Sequence, residues 1–269
     1  MNAPLASSAA PDAPSRALAI SVRGVKVSFG KKAILKGLDL DVYRGEVLGF
    51  VGPSGSGKSV LTRVILGLAP KQAGVIKVLG QELGRLNASA LRELEKRWGV
   101  LFQQGALFSA LSVKQNIQVP MRAYLNLSPR LLDELAMLKI ALVGLPPDAA
   151  DKFPSELSGG MVKRAGLARA LALDPDIVFL DEPTAGLDPI SAGEFDELIG
   201  TLQKTMGLTV FMVTHDLDSL YAICDRVAAL GEGKIVAVGP IKQLARSQHP
   251  WLRAYFHGKR GREHDSGPG

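Results

Sequence analysis

Val47-Leu48-Gly49-Phe50-Val51-Gly52-Pro53-Ser54-Gly55-Ser56-Gly57-Lys58-Ser59-Val60 is the stretch on which the reading of this chain turns. Its first five residues form a continuous apolar run, the pattern of a strand buried on both faces. From Gly52 to Ser59 the sequence fits G-x-x-x-x-G-K-[ST] at every fixed position. Leu61, Val64, Ile65 and Leu68 then follow at helical spacing. Strand, glycine-rich turn and helix in that order open an α/β unit. Glycines allow consecutive backbone N–H groups to converge on phosphate oxygens, and the helix start adds about half a positive charge. Lys58 supplies a counter-charge for β and γ phosphates, and the Ser59 hydroxyl suits the oxygen shell of Mg²⁺. Pro53, Ser54, Gly55, Ser56, Gly57 and Val60 complete the cradle.

Working outward, Ile177–Leu180, Thr209–Val213 and Val227–Leu230 repeat the buried-strand signature, which predicts a parallel sheet. Ahead of the loop, Ile20, Val22, Val25, Val27 and Phe29, then Leu38, Leu40 and Val42, alternate loosely with polar residues, as in a half-buried antiparallel sheet. Asn87 precedes Leu91, Leu94 and Trp98 at helical spacing, and Ser128-Pro129 supplies a cap and first-turn proline before Leu131, Leu132, Leu135 and Leu138. The expected organisation is a disordered tail over 1–17, a core over 18–103 and 167–247, a helical insertion over 104–166, and a C-terminal extension over 248–269. In that extension Trp251, Leu252, Tyr255 and Phe256 form one apolar stripe of a short helix, and the last residues read as disordered. Another short helix is expected over Ile241 to Arg246, after Gly239-Pro240.

Composition narrows the class. The chain has 269 residues, 46% hydrophobic and 22% charged, which is ordinary for a globular protein and excludes disorder for most of it. Its longest uncharged apolar runs are strand-length, far short of the ~20 residues of a membrane-crossing helix. One cysteine, Cys224, excludes an internal disulfide or a cysteine-rich metal site; between Ile223 and Asp225 it is expected on a helix and reads as inert packing. A net charge of +6 permits anionic partners without choosing among them.

The choice comes from the second half. Ile177-Val-Phe-Leu-Asp181-Glu182 is a buried strand ending in two carboxylates, and strand ends in such sheets face the ligand crevice. Asp181 is placed to hold Mg²⁺, and Glu182 to polarise an attacking water as general base. Leu157-Ser158-Gly159-Gly160-Met161 precedes a helix, so its free N–H groups and hydroxyl make an anion site lacking its own nucleotide. That segment resembles the ATP-binding-cassette (ABC) signature, usually spelled LSGGQ. The resemblance covers roughly Ala19 to Leu244. It implies a P-loop NTPase cassette: an α/β, RecA-like core with an N-terminal antiparallel β subdomain and an inserted α-helical subdomain. By motif order it also implies that Phe29 stacks on adenine, Gln103 links nucleotide to permease and touches Mg²⁺, Asp188 lies in a dimer-contact loop, and His215 is the switch histidine. Catalysis would rest on Glu182, His215 and Gln103. Ser158, Gly159, Gly160 and Met161 would close over ATP held by a second copy of the chain, so that ATP hydrolysis requires a head-to-tail homodimer.

Two departures refine the resemblance: Met161 stands for the signature glutamine, and Gln-Gly-Ala-Leu-Phe-Ser-Ala-Leu-Ser-Val follows Gln103. Both resemble ATPases of Mla-type systems, which move phospholipids or other hydrophobic molecules between membrane and envelope. That likeness implies an integral membrane permease, an MCE-domain protein and a small STAS-domain protein as partners, at the cytoplasmic face of the inner membrane. Leu107, Phe108 and Leu111 are expected to contact the permease, unless they pack the helical segment's own core. The alternatives are an ABC transporter for amino acids or lipoproteins, and a soluble cassette protein acting on DNA or the ribosome. Such soluble proteins usually carry tandem cassettes, coiled coils or zinc-binding cysteines, and none is evident, so no nucleic acid is expected.

Overall fold

In the computed structural model of the chain, residues 16–258 are described. The expected disorder of the extreme N-terminus and of the last residues lies outside that range. Ala17, counted with the tail, accepts a hydrogen bond from the Arg44 N–H at 2.8 Å as the first sheet begins.

Strands β1 (Leu18–Phe29) and β2 (Lys32–Tyr43) form a long antiparallel hairpin, after which β3 (Val47–Val51) leads through the glycine-rich loop into helix α1 (Lys58–Ile65). β4 (Ala73–Val78) and β5 (Gln81–Glu82) extend the hairpin to a four-stranded antiparallel sheet in the order β2-β1-β4-β5. Helix α2 (Ala88–Glu95) and strand β6 (Trp98–Leu101) precede a helical stretch made of α3 (Val113–Tyr124), α4 (Pro129–Leu142) and α5 (Gly159–Ala170). The chain returns to the core with β7 (Ile177–Asp181), α6 (Pro189–Met206), β8 (Thr209–Val213), α7 (Leu217–Ile223), β9 (Arg226–Gly231) and β10 (Lys234–Gly239). Helices α8 (Ile241–Ala245) and α9 (Pro250–His257) follow. The second sheet has six strands in the order β10-β9-β3-β8-β7-β6, parallel throughout except for β10.

The apolar runs are explained by this sheet being covered on both faces. Along β7, Ile177 and Phe179 point into a core shared with α1 and the antiparallel sheet, whereas Val178 and Leu180 point into the core beneath the helices. β8 alternates likewise, Phe211 and Val213 against Val210 and Met212. Phe50 and Phe179 lie 5.3 and 5.7 Å from the Phe211 ring in tilted contacts. Each such fully buried side chain contributes roughly 2–3 kcal/mol.

Local chemistry sets the helix starts. Asn87 Oδ1 accepts from the Ala90 N–H at 2.9 Å, and Ser128 Oγ from the Leu131 N–H at 3.3 Å with Pro129 in the first turn. Ser112 and Gln115 form a reciprocal capping box at α3.

Two expectations are corrected. Trp98 continues the stripe of Leu91 and Leu94 in sequence, yet α2 ends at Glu95 and Trp98 opens β6, paired in register with Ile177. The sheet wins because an edge is available beside β7 and Gly99 lets β6 press on α5: a Cβ there would overlap the Ala170 carbonyl oxygen. Cys224 lies just beyond α7 rather than within it, and burial raises its thiol pKa, as befits a packing residue. α5 runs through the expected boundary at residue 166 without interruption.

The antiparallel sheet also braces the phosphate loop. Gly57 has φ +109°, and a Cβ there would sit 2.7 Å from Ile34 Cγ2 of β2. The Lys36 N–H donates to the Gly233 carbonyl at 2.9 Å, tying β2 to the β9–β10 turn. Among the described residues no helix is long and apolar enough to cross a membrane.

Candidate active site

The C-terminal ends of β3, β7 and β8 place the phosphate loop, the two carboxylates and His215 along one rim of the parallel sheet. Gly57 begins α1, so the first-turn N–H groups of Lys58, Ser59 and Val60 are available to an anion. Lys58 Nζ points back into the loop and donates to the Gly52 carbonyl at 2.7 Å and the Pro53 carbonyl at 3.1 Å. Burial lowers its pKa, opposed by the charges of Glu182 and Asp181. Ser56 Oγ is buried without a hydrogen-bond partner, an orphan that a phosphate oxygen suits. Ser54, Gly55 and Ser59 are open to solvent.

Asp181 ends β7 half-buried; burial and the adjacent Glu182 push its carboxyl above the usual range, while Arg63, Lys58 and Lys163 pull it down. Glu182 adopts φ +50°, a left-handed conformation rare outside glycine. Its N–H donates to the Val213 carbonyl at 2.8 Å, and its carboxylate Oε2 lies 2.8 Å from His215 Nδ1. The carboxylate is largely enclosed, at 16% exposure, whereas the imidazole is 66% exposed. A largely enclosed carboxylate held by an accessible imidazole is an arrangement that suits proton abstraction from water at a sheet rim.

Oxygen donors suited to a hard divalent cation are present in Ser59, Asp181 and the Gln103 amide. Gln103 is exposed on the loop after β6. Phe29 ends β1 with its side chain 56% exposed, leaving a ring face free for stacking. Ser158 caps α5, its Oγ accepting from the Met161 N–H at 3.3 Å, so Gly159 and Gly160 keep unspent N–H groups. Met161 packs its side chain on the core, which accounts for an apolar residue there. Leu187 lies close to Gly159, and Asp188 caps α6 by accepting from the Ile190 and Ser191 N–H groups at 3.1 and 3.0 Å. Hydrogen bonds from Ser191 hold the Asp188 carboxyl below its usual pKa.

Three features escape the sequence reading. Lys163 of α5 is buried at 5% exposure, and its ammonium donates to the backbone carbonyls of Gln103 and Glu182. Its place on the stripe with Gly166, Leu167 and Ala170 was the available signal. Behind the rim, Ser219 Oγ of α7 donates to Asp196 Oδ2 of α6 at 2.7 Å and lies 3.3 Å from Thr184 Oγ1, two residues beyond Glu182. Finally, a cavity of about 720 Å³ beside Glu182 and His215 is walled by Tyr255 of α9, whose hydroxyl is buried without a partner. Leu252 and Phe256 anchor α9 in the core, and Trp251 stacks on Tyr255 at 4.9 Å.

The comparisons with known proteins agree with this geometry. A family model described as ABC transporter matches residues 35–185. The chain is 40% identical over 229 residues to the intermembrane phospholipid transport system ATP-binding protein MlaF of Haemophilus influenzae, covering 85% of this chain and 86% of that protein. It is 38% identical over 243 residues to the probable ribonucleotide transport ATP-binding protein mkl of Mycobacterium leprae, covering 90% of this chain and 70% of the relative. Among solved structures, the dimeric post-hydrolysis ATP-binding cassette MJ0796 bound to ADP and Pi superposes with a TM-score of 0.75 at 27% identity, over 82% of this chain and 98% of that one. Cassettes of this type bind nucleotide and dimerise. With the phosphate loop, the paired carboxylates and the signature helix in one fold, the chain belongs to the ABC transporter family as an ATP-hydrolysing subunit.

Proposed function

We propose that this subunit powers the movement of phospholipids or other hydrophobic molecules between membrane and cell envelope, as a homodimer on the cytoplasmic face of an inner membrane. The observation that supports the cargo is the likeness to MlaF over most of both chains. An integral membrane permease is the partner of an ABC ATPase; an MCE-domain protein and a STAS-domain protein are the further partners of this reading.

The geometry of the rim supports the roles that the family resemblance implies for its residues. Lys58 exchanges its two carbonyl partners for phosphate oxygens, Ser56 gains a partner, and the α1 N–H groups complete the cradle. Phe29 stacks on the adenine. Glu182 takes the proton of the attacking water, and His215 Nδ1 holds the carboxylate in place. Ser59, Asp181 and Gln103 would hold Mg²⁺, which would supply charge neutralisation to the phosphates. Ser158, Gly159, Gly160 and Met161 face the nucleotide of the second copy, with Asp188 positioning the loop beside them. Because each site borrows another copy's α5, binding of ATP favours the closed pair, and the free energy enters as differential affinity between open and closed states.

An apolar groove of about 550 Å³ behind the Gln103 loop suits a permease helix. Phe102, Phe108, Leu68 and Tyr124 line it, with Phe108 at 53% exposure. Leu107 instead packs against the core, so of the three expected contacts Phe108 is the one on the groove.

The test is affinity purification of the tagged Glu182→Gln chain from detergent-solubilised membranes in ATP, followed by mass spectrometry of proteins and lipids. A permease recovered with an MCE-domain protein and phospholipid is the expected result. A different permease, or a bound nucleotide cargo as the name of the mycobacterial relative suggests, would replace the cargo and leave the ATPase chemistry intact.

A further inference from the structure

We propose that Lys163 is a positioning residue for hydrolysis: its buried ammonium clamps the backbone of Glu182 and of Gln103 to the helix that carries the signature. The inference rests on the reading of Glu182 as general base and goes beyond it by naming what holds that base.

Burying an ammonium strips its hydration, so a lysine in a helix interface otherwise built of Ala165, Gly166, Leu167 and Ala168 calls for a compensating role. Its compensation is two backbone carbonyls, from Gln103 and, at 3.0 Å, from Glu182. Those carbonyls lie far apart in sequence, one after β6 and one after β7, and both belong to residues at the reacting end of the sheet. Neither contact is a side-chain ion pair, so beside its charge, which the Asp181 and Glu182 carboxylates feel at longer range, Lys163 acts on where the backbone points.

Glu182 is the residue that most needs such a hold. Its positive φ is a conformation that persists only when the surroundings over-determine it. Four contacts do so: the N–H on Val213, the carboxylate on His215, and the carbonyl on both Lys163 and the Ala185 N–H, the last at 3.2 Å. The first two come from β8 and the segment just after it, and the Ala185 bond closes the local turn. Lys163 alone of the four comes from α5, the helix whose first turn offers N–H groups to the other copy's nucleotide. A shift of α5 or of the Gln103 loop therefore moves the ammonium relative to the Glu182 carbonyl and re-aims the carboxylate. Lys163 is thus the contact through which the helical segment sets the geometry of the base.

The experiment compares Lys163→Met, Lys163→Gln and Lys163→Arg in the complex purified through this chain, measuring kcat and KM for ATP and binding of a fluorescent ATP analogue. Methionine keeps the apolar stem and removes the donors, so kcat is expected to fall about tenfold or more, with KM and analogue affinity within about twofold. Arginine keeps donors for both carbonyls and recovers much of the rate. In a Glu182→Gln background, Lys163→Met costs much less than in the parent, because the part of its effect that passes through Glu182 is already gone and only the hold on Gln103 remains. Should the methionine variant fail to fold, the glutamine variant, whose amide donors sit on a shorter arm than the lysine ammonium and fall short of spanning both carbonyls, carries a smaller kcat loss in the same direction. Unchanged kcat in a folded Met or Gln variant would overturn the proposal, as would a loss appearing entirely in KM. Undiminished turnover in Glu182→Gln alone would instead remove the general base, a failure of the underlying reading that is distinguishable from a failure of the clamp.

Discussion

Replacing Asp196 by asparagine should change the stability of this protein by an amount that depends on pH. Asp196 is 3% exposed, its Oδ1 has no hydrogen-bond partner, and Asp216 and Asp218 add negative potential around it. Burial, opposed in part by the Ser219 hydroxyl, raises its carboxyl from 3.8 to about 6. Because the folded state holds the proton more tightly, the associated stability is fully present below 3.8 and is lost as pH rises through about 6. At ~1.36 kcal/mol per pKa unit, the loss is about 1.6 kcal/mol at pH 5 and about 3 kcal/mol at pH 8. Asparagine does not titrate, so the stability of Asp196→Asn minus that of the parent should rise by about 1.4 kcal/mol between those two pH values. Urea unfolding of both proteins at pH 5, 6, 7 and 8 measures this directly, and all other titrating groups cancel in the difference. Parallel curves, with a difference constant to within about 0.3 kcal/mol, would refute the assignment of a raised carboxyl at this position.

Glu182→Gln should bind ATP and form the closed dimer while hydrolysing about a hundredfold or more slowly, checked by single-turnover phosphate release and size-exclusion chromatography in ATP. Lys58→Ala should weaken nucleotide binding by about tenfold or more, because phosphate oxygens lose a half-buried counter-charge; titration calorimetry decides, and wild-type affinity would count against the role. Gly99→Ala should destabilise the fold by about 3 kcal/mol or more, since the new methyl would overlap the Ala170 backbone and part β6 from α5; a wild-type melting midpoint would contradict that packing.

Much of the fold was legible because its parallel strands are buried on both faces, which writes them as unbroken apolar runs at β3, β7 and β8. Caps at Asn87 and Ser128 were equally readable, since a side-chain oxygen accepting from an N–H three residues on is local chemistry. β6 was not: it has four residues, and Trp98 falls at helical spacing from Leu94, so only the vacant edge beside β7 resolves the ambiguity. The phosphate loop and the two carboxylates could be read from spacing, whereas for Lys163 spacing signals burial alone, because its partners are backbone carbonyls that spell nothing in sequence. The cluster of Thr184, Ser219 and Asp196 joins three elements by tertiary packing alone. Tyr255 belongs to an apolar stripe that was visible, but its proximity to the hydrolytic rim depends on how the end of the chain folds back.

The bracing of Gly57 against Ile34 has a consequence for recognition. Phe29 ends the strand hydrogen-bonded to β2, and β2 in turn abuts the loop that holds the phosphates. With the roles proposed for Phe29 and the phosphate loop, the two ends of a nucleotide would meet parts joined through one sheet, a caliper whose opening β1 and β2 set. Ligand span would then be gauged within one copy, before any helix of a second copy closed over it.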